Sequence, residues 1–227
     1  TDPRKSNYFY EEALKTLRTN IQFAGADIKT ILVTSCFPNE GKSDVAFQLA
    51  REMGMAGKKT VLLDADIRKS VLVQRYLVDN DVKGLSQYLS GQAPVRDILY
   101  GTNYENMDVI FAGPMAPNPS ELLNGRVFAK LMGELKQRYD YVLIDTPPMA
   151  SVVDAAIVGK VCDGAILVIE SGFVGYRAAQ KAIKQLEKSG THMLGAVLNK
   201  VDTKKEKYYS YYSYGSKYGY GQNHENA

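Results

Sequence analysis

One short segment, SCFPNEGKS from Ser35 to Ser43, restricts the fold of this 227-residue chain more than any other. It joins an apolar, β-branched run at Thr30–Thr34 to a segment, about Lys42 to Met55, that is predicted to be helical. A glycine-lysine-serine turn between a buried strand and the start of a helix is typical of a loop that binds phosphate. The alternative interpretation is a strand–turn–helix connection that contains these three residues by chance.

The end of this loop is suited to a nucleotide triphosphate. Gly41 lets the backbone approach phosphate oxygens, Lys42 brings a positive charge to the β- and γ-phosphates, and the Ser43 hydroxyl is a hard oxygen ligand for Mg²⁺. The loop is irregular, because Cys36 occupies the place of the usual first glycine and Asn39 a place often held by glycine. Asparagine tolerates a left-handed backbone, so we expect the turn to survive. The loop residues predicted to contact ATP are Pro38, Asn39, Glu40, Gly41, Lys42, Ser43 and Asp44.

Short apolar strands alternate with helices along the rest of the chain. Further strands are predicted at Thr60–Leu63, Met107–Phe111, Tyr141–Ile144, Ala165–Ile169 and Leu194–Leu198, and further helices at residues 7–24, from Pro119 to about Tyr139, and at Tyr176–Lys188. This alternation predicts an α/β fold whose mostly parallel sheet is covered by helices on both faces. The length fits one large domain, residues 1–202, better than two small ones.

Two of the predicted strands end in aspartate. VLLDADIR places Asp64 and Asp66 after one strand, and YVLIDTPP places Asp145 after another. The carboxyl ends of parallel strands meet at one edge of the sheet, where ligands bind. Three carboxylates near a polyphosphate would repel it without a divalent cation, so they imply Mg²⁺ beside Ser43. The alternative is that each aspartate only caps the turn that follows it.

Charge and composition exclude several other classes of protein. The chain has 28 basic and 25 acidic residues, a net charge of +3, which gives no electrostatic footprint for a nucleic-acid partner. Cys36 and Cys162 lack metal-ligand or C-x-x-C spacing, and an ATP site implies a reducing cytosol with free thiols. We see no signal peptide and no apolar run near the ~20 residues of a membrane span, so any membrane link would run through a partner or a weak surface contact. Residues 203–227 lack aliphatic side chains and a sustained period, which predicts a flexible tail.

These features resemble the bacterial tyrosine kinases (BY-kinases) that act with capsular and exopolysaccharide assembly. That family has a Walker A loop without the usual first glycine, a motif of the form apolar-D-x-D-x-R, and a Walker B motif ending D-T-P-P. The matching segments here are Ser35–Ser43, Asp64–Arg68 and Asp145–Pro148. Residues Ala112 to Leu123 are similar to the family's G-P-x-x-P-N-P-S-E-L-L stretch, and the family also ends in a tyrosine cluster. The resemblance covers nearly the whole chain.

The resemblance implies an ATP- and Mg²⁺-dependent protein tyrosine kinase of the P-loop fold. The catalytic residues would be Lys42, Asp64, Asp66 and Asp145, and the metal ligands Ser43, Asp66 and Asp145. Asp64 would orient the incoming phenol and accept its proton. Asn199 is similar to the adenine-reading residue of this superfamily, and the alternative is an ordinary asparagine at a strand end.

The tail and the first helix extend this resemblance. Seven of the 16 tyrosines lie in the tail, and they would be phosphorylated; the alternative is an aromatic tail that mediates weak association. The acceptors would be Tyr208, Tyr209, Tyr211, Tyr212, Tyr214, Tyr218 and Tyr220. Glu12, Lys15 and Arg18 match the family motif E-x-x-R-x-x-R, with lysine in place of the first arginine. The motif implies intersubunit salt bridges that close a ring and bring tails to neighbouring sites, whereas by itself the spacing predicts only a solvated helix face.

The resemblance also implies partners and a location. They are a membrane adaptor or activator protein of polysaccharide assembly, a cognate tyrosine phosphatase, and a cytoplasmic position at the inner face of the plasma membrane through the adaptor. The alternative function is a nucleotide-switched assembly ATPase of the MinD/ParA type without kinase activity. That class carries a lysine just after the first glycine of the loop, where this chain has Phe37, and this mismatch favours the kinase.

Overall fold

The computed structural model of the chain describes residues 3–75, 82–151 and 153–202. The strands are β1 (Thr30–Ser35), β2 (Thr60–Asp64), β3 (Leu99–Gly101), β4 (Met107–Ile110), β5 (Tyr141–Asp145), β6 (Gly164–Glu170) and β7 (Met193–Asn199). The α-helices are α1 (Pro3–Ala24), α2 (Lys42–Met55), α3 (Leu72–Arg75), α4 (Leu85–Leu89), α5 (Pro119–Leu123), α6 (Arg126–Arg138), α7 (Asp154–Gly159) and α8 (Tyr176–Lys188). A 3₁₀ turn, Val95–Asp97, precedes β3.

The seven strands form one sheet in the order β3-β4-β2-β5-β1-β6-β7. Every neighbouring pair is parallel except β3 and β4, which form an antiparallel pair at one edge. The predicted mostly parallel sheet is therefore confirmed. The short strand β3 was not predicted, because its three residues are all partly or fully exposed and give no apolar run.

Helices cover both faces of this sheet, as predicted. On one face α1 and α2 pack against the strands, with Ile21, Leu49 and Met53 in a buried cluster. On the other face α4 to α8 contribute side chains such as Phe128 and Leu186 to a second cluster. Each inner strand is thus buried from both sides, which explains why the strands read as continuous apolar runs in the sequence.

Two predicted helices differ from the structure. The long helix expected from Pro119 to about Tyr139 is divided into α5 and α6, because Gly125 has an extended backbone with φ −79° and ψ 158°. The Gly125 amide donates to the Leu122 carbonyl and closes α5 before α6 begins. The first helix starts at Pro3 instead of residue 7, which is consistent with the tolerance for proline in a first helical turn.

The first two helices lie side by side and run in the same direction. The Arg18 guanidinium on α1 pairs with the Glu52 carboxylate on α2 at 2.8 Å. Eight residues earlier on each helix, Tyr10 of α1 lies near Asp44 of α2. Burial raises the pKa of the Tyr10 phenol, and the negative charge of Asp44 raises it further. The part of α1 around Tyr10 therefore lies at the carboxyl edge of the sheet, beside the start of α2.

Candidate active site

The loop between β1 and α2 has the left-handed backbone that the sequence predicted. Asn39 has φ 68° and Gly41 has φ 88°, which confirms that asparagine replaces glycine in the turn. The Gly41 carbonyl accepts a hydrogen bond from the Val45 amide at 3.0 Å, so α2 begins directly after the turn. A Cβ atom on residue 41 would lie 2.3 Å from Asn199 Nδ2. Glycine is thus favoured at this position by its backbone conformation, and a larger residue would also displace the Asn199 side chain from its contact with the loop.

Contacts to the ends of β6 and β7 hold the loop in place. The fully buried Glu40 carboxylate accepts hydrogen bonds from the Phe37 amide and, at 2.9 Å, from the Glu170 amide. Asn199 Nδ2 donates to the Glu40 carbonyl at 2.9 Å, and Lys200 Nζ lies 2.8 Å from Glu170 Oε2. Glu40 was predicted to contact ATP, but its side chain faces the protein, which leaves only its backbone for a nucleotide. A carboxylate inside a phosphate loop is the sequence signal for such an internal role, because it would otherwise repel the ligand.

The predicted lysine and metal ligands lie together at the start of α2. Lys42 Nζ is 3.1 Å from Ser43 Oγ, 3.3 Å from Asp145 Oδ1 and 3.9 Å from Asp66 Oδ2. All four side chains are largely buried. A cation therefore already lies among the oxygen atoms that were predicted to hold Mg²⁺.

The remaining carboxylate, Asp64, is oriented differently from the other two. It is fully buried, one oxygen accepts a hydrogen bond from the Asp66 amide at 3.1 Å, and the other accepts one from the Ser70 hydroxyl. Burial, followed by the negative charge of Asp145, raises the pKa of Asp64 to about 8. Burial also raises the pKa of Asp145, although the Lys42 ammonium opposes that shift. Sequence reasoning did not identify Ser70, whose hydroxyl donates directly to a predicted catalytic group.

The oxygen donors near Lys42 fit a magnesium ion that is shared with a nucleotide. Within the described ranges, no three or more His, Cys, Asp or Glu side chains form a cluster that could hold a metal by themselves. Two carboxylates and one serine hydroxyl do converge, and Mg²⁺ commonly binds to one or two carboxylates together with water and phosphate oxygens. The residues present therefore match a metal ion whose remaining ligands come from ATP and solvent.

A second polar cluster fixes the loop that follows β2. Arg68 Nε and Nη2 donate to the two oxygens of Asp154 at 2.6 and 3.1 Å, and the Ser120 hydroxyl donates to the same carboxylate at 2.6 Å. Asp154 is fully buried at the start of α7, and Ser120 lies in the first turn of α5. We call these three residues the Arg68 clamp. Sequence reasoning missed Asp154 and Ser120, because nothing local to them predicts a partner 86 or 52 residues away.

The predicted oligomerisation residues are paired within the chain. Lys15 Nζ lies 2.7 Å from Glu12 Oε1 on the same helix, and Arg18 pairs with Glu52 as described above. The seven tail tyrosines predicted as acceptors lie outside the described residues, which end at residue 202.

Cys36 and Cys162 are free thiols, as predicted. Burial raises the pKa of Cys36 to about 11, and the negative charge of Glu40 contributes to this shift. No helix in the described part of the chain is long and apolar enough to cross a membrane.

The glycine turn, the lysine among oxygen ligands and the aspartates at two neighbouring strand ends define a P-loop nucleotide-binding protein. A family profile described as an AAA domain matches residues 28–196. The chain is 42% identical over 207 residues to a tyrosine-protein kinase CpsD of Streptococcus agalactiae, which covers 91% of this chain and 90% of that protein. The solved kinase domain of the Escherichia coli tyrosine kinase ETK matches with a TM-score of 0.79 and 32% identity, over 85% of this chain and 78% of that one. The chain belongs to the bacterial tyrosine-protein kinases.

The rival class shares the fold at a greater distance. The septum site-determining protein MinD of Pyrococcus horikoshii, solved in complex with Mg-ADP, matches with a TM-score of 0.66 and 26% identity, over 77% of this chain and 71% of that one. Both the TM-score and the sequence identity are lower than for the ETK kinase domain. The predicted preference for the kinase over the MinD/ParA type is therefore confirmed.

Proposed function

We propose that this kinase transfers the γ-phosphoryl group of ATP to tyrosines in residues 203–227 of a neighbouring copy. The observation that carries the proposal is the position of Lys42 Nζ, within 3.9 Å of oxygen atoms on Ser43, Asp66 and Asp145. Phosphoryl transfer depends mainly on positioning and charge neutralisation, and this cluster provides both at the carboxyl edge of the sheet.

The nucleotide-binding residues act through charge and backbone geometry. The start of α2 directs free N–H groups and the positive end of the helix dipole at the phosphates. Lys42 leaves the carboxylates that it contacts in the free protein and turns to the β- and γ-phosphates. Ser43, Asp66 and Asp145 would hold Mg²⁺, directly or through water, and the ion would supply positive charge to the phosphates. Asn199, at the end of β7, donates a hydrogen bond to the Glu40 carbonyl of the phosphate loop. It lies on the side of the site where we place the adenine.

Asp64 is proposed to orient the acceptor phenol and to accept its proton. Only the ionised form of Asp64 accepts a proton, and its raised pKa makes that form a stronger base than an ordinary aspartate. Because the pKa is about 8, this form is a minority at neutral pH and becomes the major one at higher pH. A phenol with a pKa of about 10 stays protonated at neutral pH, and a loose transition state requires little early deprotonation. Both Asp64 oxygens already accept hydrogen bonds, from the Asp66 amide and the Ser70 hydroxyl, so the Ser70 hydroxyl has to move for a phenol to reach Asp64.

Assembly and regulation follow from α1 and the tail. Glu12, Lys15 and Arg18 are proposed to exchange their contacts within the chain for intersubunit salt bridges, which closes a ring and allows phosphorylation in trans. Each phosphate adds roughly −1.5 to −2 charges to a weakly basic tail, and the resulting repulsion loosens the ring.

We place the kinase in the cytoplasm at the inner face of the plasma membrane. There a membrane adaptor activates the kinase, and a cognate tyrosine phosphatase removes the phosphates from its tail. The kinase regulates capsular or exopolysaccharide synthesis.

Intact-mass measurement after incubation with ATP and Mg²⁺ tests this function. Wild-type protein is expected to gain phosphates on tail tyrosines, whereas Lys42→Met, which removes a charge that no neighbouring residue replaces, is expected to gain none while keeping its fold by circular dichroism. ATP hydrolysis by the wild type without any added phosphate would support the MinD/ParA-type alternative instead. Equal phosphorylation of the two proteins would contradict the placement of the active site.

A further inference from the structure

Two successive carbonyl groups of the phosphate loop are bound by side chains from the end of β7. The Lys200 ammonium donates a hydrogen bond to the Asn39 carbonyl, and Asn199 Nδ2 donates one to the Glu40 carbonyl at 2.9 Å. In a planar trans peptide, the carbonyl oxygen and the amide hydrogen of the next residue point in opposite directions. The amides of Glu40 and Gly41 therefore point away from these two side chains. Backbone amides of this loop are the groups that bind phosphate oxygens.

Lys200 has a backbone conformation that is unusual for lysine. Its φ is 56°, in the left-handed region, and within the described ranges only two other non-glycine residues, Asn39 and Asn106, have a positive φ. Asparagine is enriched several-fold in this region, whereas lysine is not. Such conformations persist only where the surrounding structure holds them, and they cluster at functional sites. The hydrogen bond from Lys200 to Asn39 joins two of these three residues, so the turn after β7 and the turn of the phosphate loop support each other.

The Glu170 carboxylate at the end of β6 fixes the position of the Lys200 ammonium. Glu170 Oε2 lies 2.8 Å from Lys200 Nζ, and the two side chains are 26% and 45% exposed. The Glu170 amide also donates to the buried Glu40 carboxylate at 2.9 Å. Glu170 is thus bound to the phosphate loop directly through its backbone and indirectly through Lys200. Since a carboxylate already compensates its charge, Lys200 supplies the loop with a directed hydrogen bond more than with a free positive charge.

We propose that Lys200 is a positioning residue for the nucleotide: by holding the Asn39 carbonyl, it orients the Glu40 amide towards the phosphates, as Asn199 does for the Gly41 amide. The proposal rests on the nucleotide binding proposed above, and it adds a residue outside the phosphate loop on which that binding depends. Lys200 acts through the loop and does not itself contact the nucleotide. Its loss should weaken the ground state and the transition state alike, so KM rises while kcat changes little.

Calorimetric titration of the full-length protein with MgADP and MgATP, together with tail-phosphorylation kinetics, tests the role of Lys200. Lys200→Met is expected to raise both Kd values and the KM for MgATP about tenfold, while kcat changes by less than about threefold. Lys200→Arg keeps a cationic donor and should stay within about threefold of the wild-type Kd. Lys83→Met is the matched control, and its Kd should equal that of the wild type. Lys83 is 50% exposed and pairs with Asp97 at 3.1 Å, next to the β3 edge of the sheet and opposite β7.

Two measurements separate the hydrogen bond from a long-range effect of the lysine charge. The ratio of Kd between Lys200→Met and wild type should be the same at low salt and at about 1 M NaCl, where the Debye length is about 3 Å. Glu170→Gln should weaken MgADP binding, because it releases the ammonium from its fixed position. If only the charge of Lys200 mattered, the ratio would fall towards one at high salt, and Glu170→Gln would bind MgADP more tightly.

The outcomes for Lys200 and for the kinase function are distinguishable. An unchanged Kd in Lys200→Met, a ratio that disappears at high salt, or tighter binding by Glu170→Gln would overturn the positioning role while the kinase function stands. A wild-type protein that binds both nucleotides but transfers no phosphate would contradict the kinase function alone, because the ratio of Kd values requires no transfer. A wild-type protein that binds neither nucleotide would overturn both proposals.

Discussion

Asp64 is fully buried at the end of β2, and both of its oxygens accept hydrogen bonds from the same short loop. An aspartate in an unfolded chain has a pKa of about 3.9. Burial and the neighbouring Asp145 raise the pKa of Asp64 to about 8 in the folded protein. Between these two values the folded state binds a proton that the unfolded state has released. The free energy of unfolding therefore falls as the pH rises through this window.

The first prediction uses this pH dependence. Without nucleotide or metal, wild-type protein should lose stability between about pH 5 and about pH 8, by at most ~1.4 kcal/mol per pH unit from Asp64. Asp64→Asn removes the titrating group, so its stability relative to wild type should increase over the same range. Urea unfolding at several pH values measures this difference. Asp163→Asn is the control: since the pKa of Asp163 is lowered, its effect should be constant across the window. Parallel stability curves for Asp64→Asn and wild type would contradict the raised pKa.

At the scale of elements, the Arg68 clamp joins the loop after β2 to the starts of α5 and α7. Asp66 lies two residues before Arg68, and its oxygen is one of those nearest to Lys42. A backbone hydrogen bond from the Ala116 amide to the Ile67 carbonyl at 3.1 Å supports the same loop. A free arginine beside this site would serve as a cation for the transferring phosphate. The Arg68 guanidinium is instead bound through two nitrogens to the buried Asp154 carboxylate, so we infer that Arg68 positions Asp66.

Variants of the Arg68 clamp distinguish these two roles. Arg68→Lys keeps the positive charge but loses the bidentate hydrogen bond to Asp154, and Asp154→Asn removes the negative charge of the partner. Each is expected to lower kcat about tenfold or more, and the double variant should be no worse than either single one, because the pair acts as a unit. Each should also cost on the order of 1.5–3 kcal/mol of stability, since each loses a hydrogen bond between charged groups while the Arg68 side chain is 36% exposed and can contact water. Single-turnover kinetics and urea unfolding measure the two effects.

The ion pair between Lys136 and Asp163, far from the candidate site, provides the control for these variants. Lys136→Ala breaks the ion pair with Asp163, which lies at the amino edge of the sheet, and should lower stability without changing kcat. If Arg68 acted on the phosphate, Arg68→Lys would lose activity while Asp154→Asn kept it. That result would move Arg68 into the group of residues that touch the substrate.

The elements that the sequence predicted well are those whose burial is uniform. Inner strands such as β1 and β5 are covered on both faces, so their apolar runs identify them. The edge strand β3 and the break between α5 and α6 depend on tertiary contacts and on a single extended glycine, which leave no periodic signal. The same contrast holds in the site. Lys42 and the three aspartates follow from local motifs. Ser70 becomes visible only when the loop after β2 turns back towards Asp64, and Asp154 only when α7 is brought beside Arg68.

At the scale of the whole molecule, Arg18 belongs to two competing arrangements. Within the chain it binds Glu52 and fastens α1 to α2, and both side chains are mostly buried. The family motif implies that the same residue bridges subunits in a ring. Among the described residues, its Nε atom is buried and has no hydrogen-bond partner, so a neighbouring subunit can reach only the part of the side chain that remains exposed. Assembly therefore depends on whether a neighbouring carboxylate takes over from Glu52 or binds beside it.

The last prediction separates these arrangements. Glu12→Ala combined with Arg18→Ala should shift unphosphorylated protein towards monomer in light scattering and slow tail phosphorylation, with ATP affinity unchanged. Glu52→Ala is the discriminating variant, because it removes the partner within the chain and leaves Arg18 intact. If Arg18 bridges subunits, Glu52→Ala should retain or increase the assembled mass. If Arg18 only fastens α1, Glu52→Ala should reduce the mass as Arg18→Ala does, because a loosened α1 can no longer present Glu12 and Lys15 in a fixed geometry. An identical mass for wild type and the Glu12/Arg18 double variant at the same concentration would show that the ring interface lies elsewhere.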